Sequence, residues 1–336
     1  MIKRISILFI TYCIYLNLNA QDPFLSQMYG AAQFLSPATV GSGIYQSRAQ
    51  ANYRAQTMAG NSLYRTIVAG WDGRYKNKNP EFQNYLGLGG QIISDQVMNG
   101  ILQTNYATFN AAYHIYFDEE VQKNFSLGLG VTFTQSNLQL DKLKFYDQFA
   151  QGNFINSATS ISLQNLNSSA SKISVNTGLL YTKHNENSFL QLSANAFFMS
   201  KPELTIYNNA EASTFKSLVF FNFEKEVNDN KKTVMVHASY SNRNNMNQLL
   251  MGAAFSLPFG SYYEYVNRVY AGLFYRVGDA VIPQFSILMN QYRFGVSYDV
   301  YSRGMTGAVL NPNSFELSFS TSFGKKRNNN FRTIFD

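Results

Sequence analysis

Beyond residue 43 the chain consists mainly of long segments in which apolar and polar residues alternate. Phe125, Leu127, Leu129, Val131 and Phe133 are separated by Ser126, Gly128, Gly130 and Thr132. Phe315, Leu317, Phe319 and Phe323 alternate with Glu316, Ser318, Ser320 and Ser322. Tyr292, Phe294, Val296, Tyr298 and Val300 alternate with Arg293, Gly295, Ser297 and Asp299. A period of two belongs to a strand with two unlike faces. In a soluble sandwich the apolar face turns inward, whereas in a membrane barrel it turns outward to lipid and the polar face lines the lumen. Three features select the barrel. The segments run well beyond the ~5–6 residues common in soluble strands. Their polar faces carry Gly, Ser, Asn and occasional Arg in place of surface Lys and Glu. Aromatics gather near segment ends, as at Tyr113, Tyr116 and Phe117 or Tyr262, Tyr263 and Tyr265, where an interfacial girdle would lie. Composition agrees: 15% of residues are aromatic and only 14% charged, few for a water-exposed surface.

The expected fold is all-β, a transmembrane antiparallel outer-membrane barrel of about 14 strands, an even number as single-chain barrels require. The segments fall at 43–58, 61–75, 84–95, 100–117, 123–136, 171–182, 188–200, 214–227, 231–242, 247–258, 263–277, 280–290, 291–301 and 313–324. With the N-terminus periplasmic, the long connections 137–170, 201–213 and 302–312 all fall on the extracellular side and the short ones on the other. That is the asymmetry such barrels show. Ahead of the strands, Met1-Ile2-Lys3-Arg4 is a basic start and Ile5 to Leu16 a mostly apolar run. Leu18-Asn19-Ala20 then has the look of a cleavage site. The expected organisation is a cleaved signal peptide at 1–20 and an N-terminal leader near the periplasmic mouth at 21–42, whose Phe24, Tyr29 and Phe34 could plug the lumen from the periplasm. The barrel follows at 43–324 and a basic polar tail at 325–336, expected in solvent, with anionic lipid or a periplasmic partner as the alternative. The lone cysteine, Cys13, lies in the signal segment, so the mature chain has no disulfide and no thiolate chemistry.

Signals for catalysis are weak. The 3 His, at 114, 184 and 237, are far apart in sequence and lack metalloprotease spacing. Gly87-Leu88-Gly89-Gly90 lies in a strand pattern with no helix after it, which points to lumen-facing or close-contact glycines, not a dinucleotide loop. No catalytic residue, cofactor or metal is expected; a rim hydrolase would need a Ser-His-acid cluster in space. The net charge is 27 − 20 = +7, without the clustered stripe that nucleic acid requires. Arg48, Arg54, Asp72, Arg74, Arg268, Arg276, Arg293, Asp299 and Glu316 share the polar parity of their strands. An Arg or Lys facing lipid at the midplane costs about 2–4 kcal/mol, so these side chains are expected in the lumen. Because both signs are present, they suggest a cross-strand charge network; an Arg-lined passive pore for small solutes is the alternative. The long connection 137–170 carries Leu143, Phe145, Tyr146, Phe149, Phe154 and Ile155, candidate aromatic and aliphatic anchors for a partner.

The opening Gln21-Asp22-Pro23-Phe24-Leu25-Ser26-Gln27-Met28-Tyr29, followed by Ser36-Pro37-Ala38 and Gly41-Ser42, resembles that of the PorP/SprF family. These are outer-membrane proteins of the type IX secretion system of Bacteroidetes. Gln21, Asp22, Pro23, Gln27, Pro37 and Gly41 carry the likeness most directly. Ser36 stands where the family has Asn, and Tyr53-Arg54-Ala55-Gln56-Thr57 keeps Tyr, Arg and Gln of the family's first strand but lacks its Asn and Trp. Weaker echoes follow at Asp95, Gly100, Tyr275-Arg276 and Ser297-Tyr298-Asp299. The resemblance implies a non-enzymatic barrel lodged in outer-membrane lipid beside other type IX components. It further implies binding of a large secreted surface protein, such as a gliding adhesin, through that protein's C-terminal sorting domain, to support export or anchoring.

Overall fold

The structure is a computed structural model that describes residues 24–58, 61–76, 84–117, 122–150, 153–154, 160, 168–197, 216–227, 231–243, 246–262, 265–301, 312–326 and 333–335. The signal segment, Gln21, Asp22, Pro23, Ile155 and connection 201–213 lie outside the described residues. Fourteen long strands form one closed antiparallel barrel. They are β1 (Ser47–Met58), β2 (Asn61–Lys76), β3 (Tyr85–Val97), β4 (Leu102–Tyr116), β5 (Lys123–Leu138), β6 (Ser169–His184) and β7 (Ser188–Phe197). The second half comprises β8 (Lys216–Glu226), β9 (Thr233–Arg243), β10 (Met246–Tyr262), β11 (Tyr265–Arg276), β12 (Ala280–Met289), β13 (Tyr292–Tyr301) and β14 (Asn313–Phe323). Each strand pairs with its neighbour in sequence, and β14 closes on β1 with Ser47 opposite Phe323 and Arg54 opposite Glu316. Closure leaves no strand edge unpaired, which hydrocarbon demands. No described helix is long and apolar enough to cross a membrane.

The alternation in sequence maps onto the two faces of the wall. On β5, Leu127, Leu129, Val131 and Phe133 are exposed, whereas Ser126, Gly128, Thr132 and Thr134 are buried. The longest connections, β5–β6, β7–β8 and β13–β14, emerge at one end of the barrel, hereafter the outer end. The other end is closed by short turns such as Asn185–Asn187, where Asn185 donates its backbone N–H to Ser188 O at 2.8 Å.

Two strand boundaries differ from the sequence reading by several residues. β1 begins at Ser47 and not at 43, because Gly43–Gln46 bend into the lumen. There Arg74 donates to Ile44 O at 3.0 Å, and its backbone N–H to Gln46 O at 2.9 Å. β10 runs through Pro258 to Tyr262, past the expected end at 258. A register shift between Phe259 and Tyr262, with Gly260 at φ +69°, absorbs the proline.

Two placements sharpen the sequence reading. The leader was expected near the periplasmic mouth, with its aromatics able to plug the lumen; its described part, from Phe24 onward, lies inside the barrel, with Ser26 to Val40 almost wholly buried. The tail was expected in solvent; Thr333, Ile334 and Phe335 return into the short-turn end, where Ile334 is 1% exposed. In both cases lumen-facing polar groups on the strands supply partners that water would otherwise have to provide.

The leader fits because the wall facing it is glycine. A side-chain carbon at Gly128 would strike the backbone of Pro37 and Ala38, and one at Gly87 would strike the Val40 carbonyl. Gly128→Val should therefore lower stability by about 1–3 kcal/mol through overpacking, read as an earlier unfolding midpoint in detergent micelles. Gly90→Ala, whose added carbon meets nothing nearer than Thr108 O at 3.7 Å, should leave the midpoint unchanged.

Candidate functional site: a plugged and cross-braced lumen

The leader descends the lumen from the outer half to the short-turn end, and every turn is held by the wall. Ser26 N–H donates to Glu316 Oε2 at 2.6 Å and Gln27 N–H to Glu316 Oε1 at 2.9 Å. The Gln27 amide donates to Glu316 O at 2.8 Å and accepts from Ser318 Oγ at 2.6 Å. One buried glutamine side chain thus links the leader to the closing strand. Tyr29 shares a 2.7 Å hydrogen bond with Ser286, and Ala32 N–H donates to Gln50 Oε1 at 3.1 Å. Gln33 donates to Trp71 O at 3.0 Å and accepts from Asn110 Nδ2 at 3.1 Å.

Local chemistry then shapes the leader's lower half. Ser36 caps the short 3-10 turn Pro37–Thr39, its hydroxyl accepting from Ala38 N–H at 3.1 Å. Serine and asparagine are comparable caps, so the departure from the family's asparagine preserves the turn. Pro37 takes the first position of that turn, where its missing N–H costs nothing. Gly41, at φ +74°, donates its N–H to Asp72 Oδ2 at 2.8 Å. The leader's apolar side chains Met28, Leu35 and Ala38 belong to one cluster with Leu180, Phe220, Met235, Leu250 and Ile282. The inward apolar residues thus concentrate on β6 to β12, while β1 to β5 and β13 to β14 carry mostly polar residues inward, apart from Val68 and Ile93, which cluster with the leader's Leu25 and Ala31.

The structure places all nine charged residues singled out in the sequence on the lumen side, buried. It divides them between the two ends. In the outer half, Arg54 pairs with Asp299 at 2.7 Å and Glu316 at 3.4 Å, and Arg276 pairs with Asp299 at 2.8 Å. Arg276 also pairs with Asp279 in the β11–β12 turn. This cluster clasps the top of the leader: Arg54 donates to Ser26 Oγ at 2.7 Å, and the Arg276 guanidinium lies 4.5 Å from the Phe24 ring centroid. At the short-turn end Arg48 pairs with Asp72 at 3.1 Å, and Arg268 sits 3.6 Å from Glu224 and 3.7 Å from Glu226. Arg74 binds the Ile44 carbonyl just past the leader, and Arg293 binds Tyr29 O of the leader and Ile334 O of the tail.

Sequence reasoning missed Glu224, which is fully buried and accepts from Tyr270, Thr233 and the Ile334 N–H at 2.8, 2.9 and 3.0 Å. The available signal was parity: Leu218, Phe220, Asn222 and Glu224 share one face, and an acid there cannot face lipid. Also missed was His114, which meets Ser126 Oγ at 2.6 Å and Val40 O at 2.7 Å and stacks on Tyr85 at 4.2 Å. Its third neighbour is Asn124, not an acid, so the histidine clamps the leader. Among the described residues no group of His, Cys, Asp or Glu is placed to hold a metal.

The partner candidates lie apart from this network, in the β5–β6 connection. Tyr146 is 95% and Phe149 57% exposed, while Leu143 and Phe145 are half-buried. Phe154 pairs through its backbone with Phe149 in a two-residue ladder, and Gln139 N–H anchors the connection to Ile101 O at 2.8 Å.

Together these features define an outer-membrane β-barrel whose lumen is filled by its own leader. Solved barrels share the architecture. The toluene transporter TodX of Pseudomonas putida superposes with a TM-score of 0.50 at 11% identity, covering 90% of this chain and 99% of its own. A Pseudomonas aeruginosa FadL homologue gives 0.53 at 9%, covering 88% and 94%. At such identities the likeness concerns the fold alone. No curated protein matches the chain. The model of the type IX secretion system membrane protein PorP/SprF family matches residues 17–321, and the chain belongs to that family.

Breaking one partner of a buried ion pair typically costs about 3–5 kcal/mol, because the other charge is left uncompensated. Arg54→Met strips both Asp299 and Glu316 of a guanidinium, so a loss of that order is expected in chemical unfolding in micelles. Arg65→Met, on the exposed face beside Gln96, should stay within about 0.5 kcal/mol.

Proposed function

We propose that this barrel is a non-enzymatic docking and anchoring protein. It binds the C-terminal sorting domain of a large secreted surface protein, of the kind used in gliding adhesion, and supports that protein's export or retention at the cell surface. The chain reaches the outer membrane through a cleaved signal peptide. The observation that carries this reading is the occupied lumen. With Ser26 to Val40 buried inside the barrel, the surface available for work is the outer end. There the β5–β6 connection presents Tyr146 and Phe149 to solvent. Exposed aromatic side chains on an anchored loop are the residue type that dominates protein interfaces. Family membership supports a role beside the secretion machinery.

Affinity purification of the tagged barrel from gently solubilised outer membranes should recover a large secreted protein in near-stoichiometric amount. Deleting residues 140–168, in a variant that still folds, should abolish that recovery. Unchanged recovery would remove this connection from the docking surface. In planar bilayers the intact protein should be electrically silent; steady conductance would favour a passive pore for small solutes instead.

A further inference from the structure

At the short-turn end of the lumen the turn at Thr333–Phe335 is held by wall side chains. Its three backbone readers lie on three different strands. Glu224 of β8, 0% exposed, accepts from Ile334 N–H at 3.0 Å. Arg293 of β13, 1% exposed, donates to Ile334 O. Arg48 of β1, 3% exposed, donates to Phe335 O at 3.0 Å. Side-chain selectivity comes from burial of Ile334 and from Phe335 stacking on Phe189, centroids 5.7 Å apart. The same two arginines also hold the leader. Arg293 donates its other nitrogen to Tyr29 O and lies 5.1 Å from the Tyr29 ring centroid. Arg48 donates to Thr39 O at 3.5 Å and pairs with Asp72, which in turn accepts from Gly41 N–H.

We propose that this floor is a peptide-binding site for an aliphatic–aromatic segment in a tight turn, which Phe335 N–H closes on Thr333 Oγ1 at 3.2 Å, that its resting ligand is the chain's own Thr333–Phe335, and that its occupancy locks the leader in the lumen. Emptying the site leaves the Glu224 carboxylate without one donor and two buried guanidiniums each without one acceptor. Buried groups in that state are costly, so Arg48 and Arg293 must reorient or admit water, and the leader carbonyls they hold are released with them. The link runs from the periplasmic floor up to Ser26 and Phe24 in the outer charge cluster. The nine residues 324–332 that join the end of β14 to the tail keep it at an effective concentration on the order of millimolar. A free peptide therefore competes poorly in the intact chain and well once the tail is gone. This inference is independent of the secreted client.

Hydrogen exchange in detergent micelles tests it. In the full-length chain, Ile334→Asp should expel the tail and speed exchange of leader amides between Ser26 and Thr39 about tenfold through local opening, with β5 amides unchanged. In a chain ending at residue 324, the leader should be equally labile, and a synthetic peptide of residues 331–336 should bind saturably and restore slow exchange. A scrambled peptide should do neither. Should the truncated chain fail to fold, the Ile334→Asp result decides alone. Slow leader exchange in Ile334→Asp, a uniform rise across the barrel, or restoration by the scrambled peptide would each overturn the proposal.

Discussion

Closing a sheet of fourteen strands inside hydrocarbon imposes one requirement on everything else: each polar group that cannot face lipid must be satisfied within the lumen. Here the solution is the chain itself. The carboxylate of Glu316 accepts two leader N–H groups while also meeting Arg54 and Asn52. Remove the leader and a buried acid, two glutamines and several strand carbonyls would need other partners. The leader equally depends on the wall, since its short helical turns are too brief to hold themselves without external hydrogen bonds.

The division of charges between two ends gives the plug two anchors of different character. The outer anchor is a compact set, Arg54, Arg276, Asp299 and Glu316, gathered round Ser26 and under Phe24. Opposite charges there offset one another, so it acts as a brace more than as a selectivity ring. The lower anchor is built on guanidiniums that bind carbonyls of the leader and the tail at the short-turn end. A barrel arranged in this way directs its exposed chemistry to its outer connections, in keeping with a secretion-associated family.

The concentration of inward apolar residues on β6 to β12 explains why the alternation is clean in some strands and blurred in others. β5 and β13 face the polar half of the plug, so apolar and polar residues sort strictly between lipid and lumen. β8 and β12 face the leader's Met28 and Leu35, and therefore carry Leu218, Phe220, Ile282 and Leu288 inward as well as apolar residues outward. Those strands read as nearly continuous apolar runs, and Glu224 was hidden among them.

From the sequence alone, period-two alternation together with segment length, small polar residues on one face and aromatic segment ends determined the barrel and its strand number, and parity placed the nine named charges in the lumen, because lipid at the midplane rejects them. The family likeness was equally legible, since it rests on consecutive residues. What Gln27, Pro37 and Gly41 accomplish was not: each acts on a wall residue far away in sequence, Gln27 on Glu316 and Gly41 on Asp72. The destination of the leader and the tail was likewise decided only in three dimensions. Neither segment has a periodicity of its own, and both are ordered by partners that come within reach only when β1 meets β14 and the barrel closes.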